Sequence, residues 1–106
     1  MSPEKVVIDR DSKIINTMEK NILLSDREFQ LFMLLYENPE RVFTKDELLE
    51  MVWSGNSAIS AVTSLVLRLR KKVNAVTLAV GSIESGYREG YYLLPPKTEA
   101  EVRKTL

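Results

Sequence analysis

The sequence predicts an α+β fold: an N-terminal antiparallel β-sheet, three helices in a helix-turn-helix arrangement and a C-terminal β-hairpin. Three observations predict it. Short β-branched runs separated by turn residues fill residues 5–24, and two serine/threonine-to-glutamate capping strings open at Ser25 and Thr44, each ahead of an apolar helical face. After an amphipathic stretch, Asn56–Val73, the chain turns to extended character around a glycine-flanked centre.

With 106 residues, 44% hydrophobic and 28% charged, the chain has the size and balance of one folded domain, expected over residues 1–96 with a polar tail at 97–106. It has no cysteine and no histidine, so disulfides, thiolate zinc sites and the commonest acid–base group are excluded. No catalytic set, cofactor or metal is expected. No apolar run approaches the roughly 18 residues of a membrane span and no signal-peptide pattern opens the chain, so the expectation is a cytoplasmic protein without a membrane partner.

In chain order, Val6-Val7-Ile8, Ile14-Ile15 and Ile22-Leu23-Leu24 alternate with the turn strings Asp9-Arg10-Asp11-Ser12 and Glu19-Lys20-Asn21, which predicts a small meander. At Ser25-Asp26-Arg27-Glu28 a capping box starts the first helix, with Leu24 and Phe29 spaced as a hydrophobic staple and Asn38-Pro39 as the stop. Thr44-Lys45-Asp46-Glu47, stapled by Phe43 and Leu48, starts the second, which runs to about Trp53 with Gly55 beyond its end. Trp53 closes an apolar face and is expected in the core. The acidic residues Asp9, Asp11, Asp26, Glu28, Asp46 and Glu47 are explained by caps, helix starts and a turn.

The third helix carries the functional signal. At helical period Ile59, Val62, Val66, Leu69 and Val73 form an inward stripe, while Ser60, Ser64, Leu67, Arg68 and Lys71 face outward with Arg70 and Lys72 on the flanks. From Met51 to Ile83 there is no acidic residue, yet four cations lie there, so a net charge of zero conceals a segregated positive patch. Small hydroxyl residues followed by cations suit a DNA major groove; a plain solvated helix face accounts for the same residues. Beyond Val73, Val76-Thr77-Leu78-Ala79-Val80 and Tyr91-Tyr92-Leu93-Leu94 are the β-prone segments, with Tyr87 and Arg88 at an exposed tip and Pro95-Pro96 closing the pairing. Tyr91 and Leu93 are expected to pack on the third helix. A hairpin after such a helix is a wing.

Leu24-Ser25-Asp26-Arg27-Glu28-Phe29, Asn38-Pro39-Glu40-Arg41-Val42-Phe43-Thr44-Lys45-Asp46-Glu47-Leu48, Val52-Trp53, Leu69-Arg70-Lys71-Lys72-Val73 and Gly90-Tyr91-Tyr92-Leu93 stand in an order and spacing that resembles the OmpR/PhoB-type winged-helix DNA-binding domain of bacterial transcriptional regulators. The resemblance spans roughly residues 5–94. It implies a winged helix-turn-helix with a four-stranded N-terminal sheet, the third helix in the major groove and the wing near the adjacent minor groove. The departures lie where DNA would be read: Ser60 and Ala61 replace a frequent Arg or Thr, Leu65 and Leu67 a frequent His or Arg, and Gly86-Tyr87-Arg88 the usual Val-Arg-Gly.

The expected function is therefore sequence-specific DNA binding by a bacterial transcription regulator, through Ser60, Thr63, Ser64, Leu67, Arg68, Arg70, Lys71, Lys72, Tyr87 and Arg88. The alternative is a winged-helix protein-interaction module that has lost DNA binding, which the outward Leu67, the altered wing and the zero net charge would suit. Expected partners are double-stranded DNA, RNA polymerase through the loop Ser54–Ser57, and a second copy on tandem sites.

Overall fold

The computed structural model describes residues 6–18 and 20–96. Three strands, β1 (Val7–Asp9), β2 (Ile14–Asn16) and β3 (Asn21–Leu23), form an antiparallel meander in the order β1-β2-β3. The register pairs Ile8 with Ile15 and Ile15 with Ile22, so these three isoleucines share the inner face and Ile15 is wholly buried. The Asp9 carboxylate accepts from the Asp11 and Ser12 backbone N–H groups at 3.0 and 3.2 Å, which makes the first turn and holds that carboxyl below its ordinary pKa. Among the described residues the sheet has three strands, not the four that the resemblance implies.

Helix α1 (Asp26–Tyr36) and helix α2 (Lys45–Trp53) each begin with the predicted reciprocal cap. In α1 the Ser25 N–H donates to Glu28 Oε1 at 2.8 Å, and in α2 the Thr44 N–H donates to Glu47 Oε1 at 3.0 Å. Both staples are buried. Helix α1 ends ahead of Pro39, where Asn38 Nδ2 donates to the Leu34 carbonyl at 2.8 Å. Helix α2 ends with Ser54 and Gly55 both at positive φ, 55° and 76°. Helix α3 (Ile59–Val73) has no side-chain cap at Ala58 and packs against both earlier helices.

Two details of the third helix differ from the expected wheel. Ile59 is 38% exposed, whereas Leu65 is buried with Val62, Val66, Leu69 and Val73. The stripe is centred nearer Leu65 because the core reaches α3 from Val62 onward and leaves its first residue, Ile59, at the edge. Val76–Val80 is the larger correction. It is a 3-10 turn, Asn74–Val76, followed by one helical turn, α4 (Thr77–Val80), rather than a strand. Val76, Ala79 and Val80 are buried, and that i, i+3, i+4 spacing satisfies the core only in helical geometry, overriding β-propensity.

The hairpin is β4 (Ser82–Ser85) and β5 (Tyr91–Leu94), paired Ser82 to Leu94 through Ser85 to Tyr91. Strand β5 also bridges to Phe43, each backbone N–H donating to the other residue's carbonyl at 2.9 Å, so the connection between α1 and α2 joins the wing as a third line of pairing. That close approach needs Gly90, where a Cβ would run into the Phe43 carbonyl oxygen. Phe32, Phe43, Leu31, Leu48, Leu69, Ile83 and Leu93, drawn from α1, α2, α3, the connection and both hairpin strands, are wholly or almost wholly buried in one core.

Gly81 ends α4 at φ 93°, and a Cβ there would overlap the Leu94 carbonyl oxygen. Gly81→Ala is expected to cost about 2–4 kcal/mol from left-handed strain and overpacking together. Gly55→Ala meets only the movable end of the Glu50 side chain and is expected to cost about 1–2 kcal/mol. Urea denaturation of both variants checks the order, and equal losses would contradict it.

Candidate nucleic-acid interface

Five of the ten expected site residues, Ser60, Ser64, Leu67, Arg68 and Lys71, are exposed on the outward side of α3. Thr63 beside them is half-buried. The face is uncharged over its first half and cationic at its end. Tyr87 and Arg88 are exposed at the tip between β4 and β5, with the Arg88 guanidinium 5.2 Å from the Tyr87 ring centre. The tip is a short 3-10 turn in which Arg88 and Glu89 both take left-handed backbone, φ 54° and 56°.

The two flanking cations are turned inward. Arg70 leans on the hairpin: its guanidinium lies 5.8 Å from the Tyr91 ring centre, one amino group is 3.5 Å from Ser85 Oγ, and among the described residues its Nε is buried with no hydrogen-bond partner. Lys72 points to the opposite flank. Its Nζ donates to Glu28 Oε1 at 2.7 Å and to the Leu23 carbonyl at 3.2 Å. From its flank Lys72 therefore ties α3 to the start of α1 and to β3.

Glu28 is the partner that fixes this arrangement. Its side chain is 5% exposed, and one carboxylate oxygen takes both the Ser25 N–H and the Lys72 ammonium. Burial pushes the carboxyl up, but the Lys72 hydrogen bond, the Ser25 N–H and the Lys72 charge together outweigh it and hold the group below its ordinary pKa.

One cation at this end of the molecule was not singled out in the sequence. Lys45, the first residue of α2, stands 3.9 Å from Glu89 of the wing tip, and with Thr44, Asp46, Ile59, Arg88 and Glu89 it lines an open cleft of about 410 Å³. The signal available was its place in the first turn of a capped helix preceding the third. The loop 54–57 is exposed, and beside it Trp53 is half-buried, with the Arg27 guanidinium 5.5 Å from its ring centre. Trp53 thus packs on the edge of the core as well as facing the loop.

Residues 19–93 match the family model for the transcriptional regulatory protein C-terminal domain. The chain belongs to this family. Among curated relatives it is 38% identical over 78 residues to RcaC of Microchaete diplosiphon, covering 72% of this chain and 12% of that protein. It is 28% identical over 88 residues to the heme response regulator HssR of Staphylococcus epidermidis, covering 81% of this chain and 39% of that protein. The chain thus spans well under half the length of either. Among solved structures, the DNA-binding domain of the response regulator AdeR, determined in complex with an intercistronic region, superposes with a TM-score of 0.70 at 25% identity, covering 86% of this chain and 94% of that one. The winged helix-turn-helix is the architecture of this OmpR/PhoB-type family member. Among the described residues no helix is long and apolar enough to cross a membrane.

The Glu28–Lys72 pair sets a pH dependence whose sign follows from the depressed carboxyl. Its stabilisation is fully present above the ordinary glutamate pKa and is lost as pH falls through the lowered value, so the window opens at about pH 5 and extends downward. Glu28→Gln is expected to be less stable at neutral pH and to lose less on acidification, with the two stability curves converging in acid. Urea denaturation at a series of pH values measures this. Parallel curves would show that Glu28 contributes no charge-dependent stability.

Proposed function

We propose that this chain is the DNA-binding domain of a bacterial transcription regulator, acting on double-stranded DNA in the cytoplasm. The observation that carries the reading is the outward face of α3, where Ser60, Ser64, Leu67, Arg68 and Lys71 are exposed together while the opposite stripe is buried. In this reading α3 enters the major groove: Ser60, Thr63, Ser64 and Leu67 meet base edges, and Arg68 and Lys71 meet phosphates. The wing tip, Tyr87 and Arg88, lies near the adjacent minor groove. Arg70 acts mainly by bracing the wing against α3, and Lys72 by holding α3 on the core. AdeR's complex with an intercistronic region supports duplex DNA as the partner.

Two further contacts complete the proposal. The exposed loop 54–57 meets RNA polymerase, and a second copy binds a tandem site. Exposed Val7 and Leu23 on the N-terminal sheet supply apolar surface that a neighbour would cover.

Titration of duplex binding with salt tests the reading. Arg68→Ala and Lys71→Ala are each expected to weaken binding on all sequences and to lower the slope of log K against log salt by about 0.9, as loss of one phosphate contact does. Lys72→Ala is expected to leave that slope unchanged and to lower stability by about 1–2 kcal/mol, the ammonium being partly exposed. No binding of any duplex at low salt would overturn the proposal and leave the protein-interaction reading.

The wing provides an independent check. Arg88→Ala is expected to reduce DNA affinity with stability unchanged to within about 0.5 kcal/mol, whereas Tyr91→Ala, at a buried ring against Arg70, is expected to cost on the order of 3 kcal/mol of folding free energy. Thermal melts and binding curves on the two variants separate these roles. Equal shifts in melting temperature would mean that the tip residue is structural.

A further inference from the structure

We propose that Leu67 is a specificity-determining residue that reads the C5-methyl group of thymine, so that the DNA sites of this chain depend on thymine methyls at one or two positions of the groove floor. The inference rests on the DNA-binding reading above and goes beyond it in naming the chemical group recognised. Leu67 is 53% exposed at the middle of the outward face of α3, while its neighbours Leu65, Val66 and Leu69 are buried. Among the described residues it stands outside the core cluster.

A single exposed leucine is ordinary on a protein surface. Its surroundings give this one a use. Over Ile59–Leu67 there is no Arg, Lys, Asn or Gln, so the side chains that bind purine edges in bidentate fashion are absent from that half of the helix. What the outward face of that half offers is three hydroxyls, at Ser60, Thr63 and Ser64, and the large apolar group of Leu67, the other exposed apolar residue, Ile59, lying at the helix start in the cleft beside Lys45 and the wing tip. Hydroxyls accept or donate and discriminate weakly, whereas leucine discriminates strongly in one direction. The major-groove edges of adenine, guanine and cytosine carry hydrogen-bonding groups that lose water against an alkyl chain without compensation, and thymine alone presents a methyl.

The geometry permits the contact. Side chains on a helix lean toward its N-terminus, so Leu67 covers the surface over the turn that holds Thr63 and Ser64. Those small residues let the helix approach the bases closely there. The first outward cation, Arg68, comes only after Leu67, so the phosphate anchors lie toward one end and leave the leucine over the groove floor.

The experiment changes the DNA before the protein. A binding site is selected from a random duplex pool, and each of its thymines is replaced singly by deoxyuridine, which removes the methyl and keeps base pairing; affinity is read by fluorescence anisotropy. The unmodified protein is expected to bind roughly fourfold more weakly when a contacted methyl is removed, the effect of withdrawing about one buried carbon from an apolar contact. Leu67→Ala is expected to bind the thymine site more weakly by a similar factor and to lose nothing further on the deoxyuridine site. If the unmodified protein is insensitive to deoxyuridine at every position, the proposal is overturned while DNA binding stands. Retained sensitivity in Leu67→Ala would assign the methyl to another residue and also overturn it. If no duplex is bound at low salt, both this inference and the reading beneath it fail.

Discussion

Burial of one stripe of α3 against α1, α2 and β4 is the constraint from which the rest of the molecule follows. Val62, Leu65, Val66, Leu69 and Val73 are removed from water together, at about 1.5–3 kcal/mol for each fully buried large side chain. A helix committed on that side has no freedom to choose its outward face. Ser60, Ser64, Leu67, Arg68 and Lys71 are exposed because they are what remains, and any rotation that hid Leu67 would expose part of the stripe. The hairpin inherits its position from the same helix, since Tyr91, Leu93 and Ile83 complete the core against it.

Charge then refines what packing sets. The four cations of the third helix lie close together in sequence, between Arg68 and Lys72, but divide into two kinds in space. Arg68 and Lys71 face outward, while Arg70 and Lys72 hold the helix by its two flanks, one against Tyr91 and Ser85 of the wing and the other against Glu28 and the Leu23 carbonyl. The half-buried position of Arg70 and the nearly full burial of Glu28 make these contacts more consequential than the exposed pairs Arg10–Glu37 and Arg41–Glu47, at 3.6 Å each. The Glu28–Lys72 pair joins three elements, because the carboxylate closes the cap of α1 and takes the ammonium from the last turns of α3, and that ammonium also donates to the Leu23 carbonyl at the end of β3. A change in α3 that disturbed Lys72 would therefore be felt at the start of α1.

The face so presented is divided in its chemistry. Its cationic end supplies attraction to a polyanion, but the opposite end supplies only small hydroxyl groups and one leucine. The wing tip adds Arg88 together with Glu89, whose carboxylate sits near Lys45, so the tip carries little net charge. In the proposed reading, attraction and discrimination are thus separated along the helix, with the cations at one end and the hydroxyls and the leucine at the other.

Features that depend on neighbours within a turn or two were legible in the residues alone. Both capping boxes, both staples, the stop before Pro39 and the outward direction of Leu67 follow from spacings of three or four residues, and the structure has them where the sequence places them. The segment 76–80 was not legible, because its β-branched composition favours a strand locally while its buried residues fit the core only as a helical turn. The exact edge of the apolar stripe, Leu65 in and Ile59 out, depends on how far the neighbouring helices reach. The role of each cation depends on partners 15 to 49 positions away, Ser85 for Arg70 and Glu28 and Leu23 for Lys72. The sequence by itself determined where the first three helices start and which face of α3 turns to water, since hydrogen-bonded caps and helical periodicity are local. Which of its charges remain free on that face was decided by tertiary structure alone, since an ion pair is set by distances in space and not by spacing along the chain.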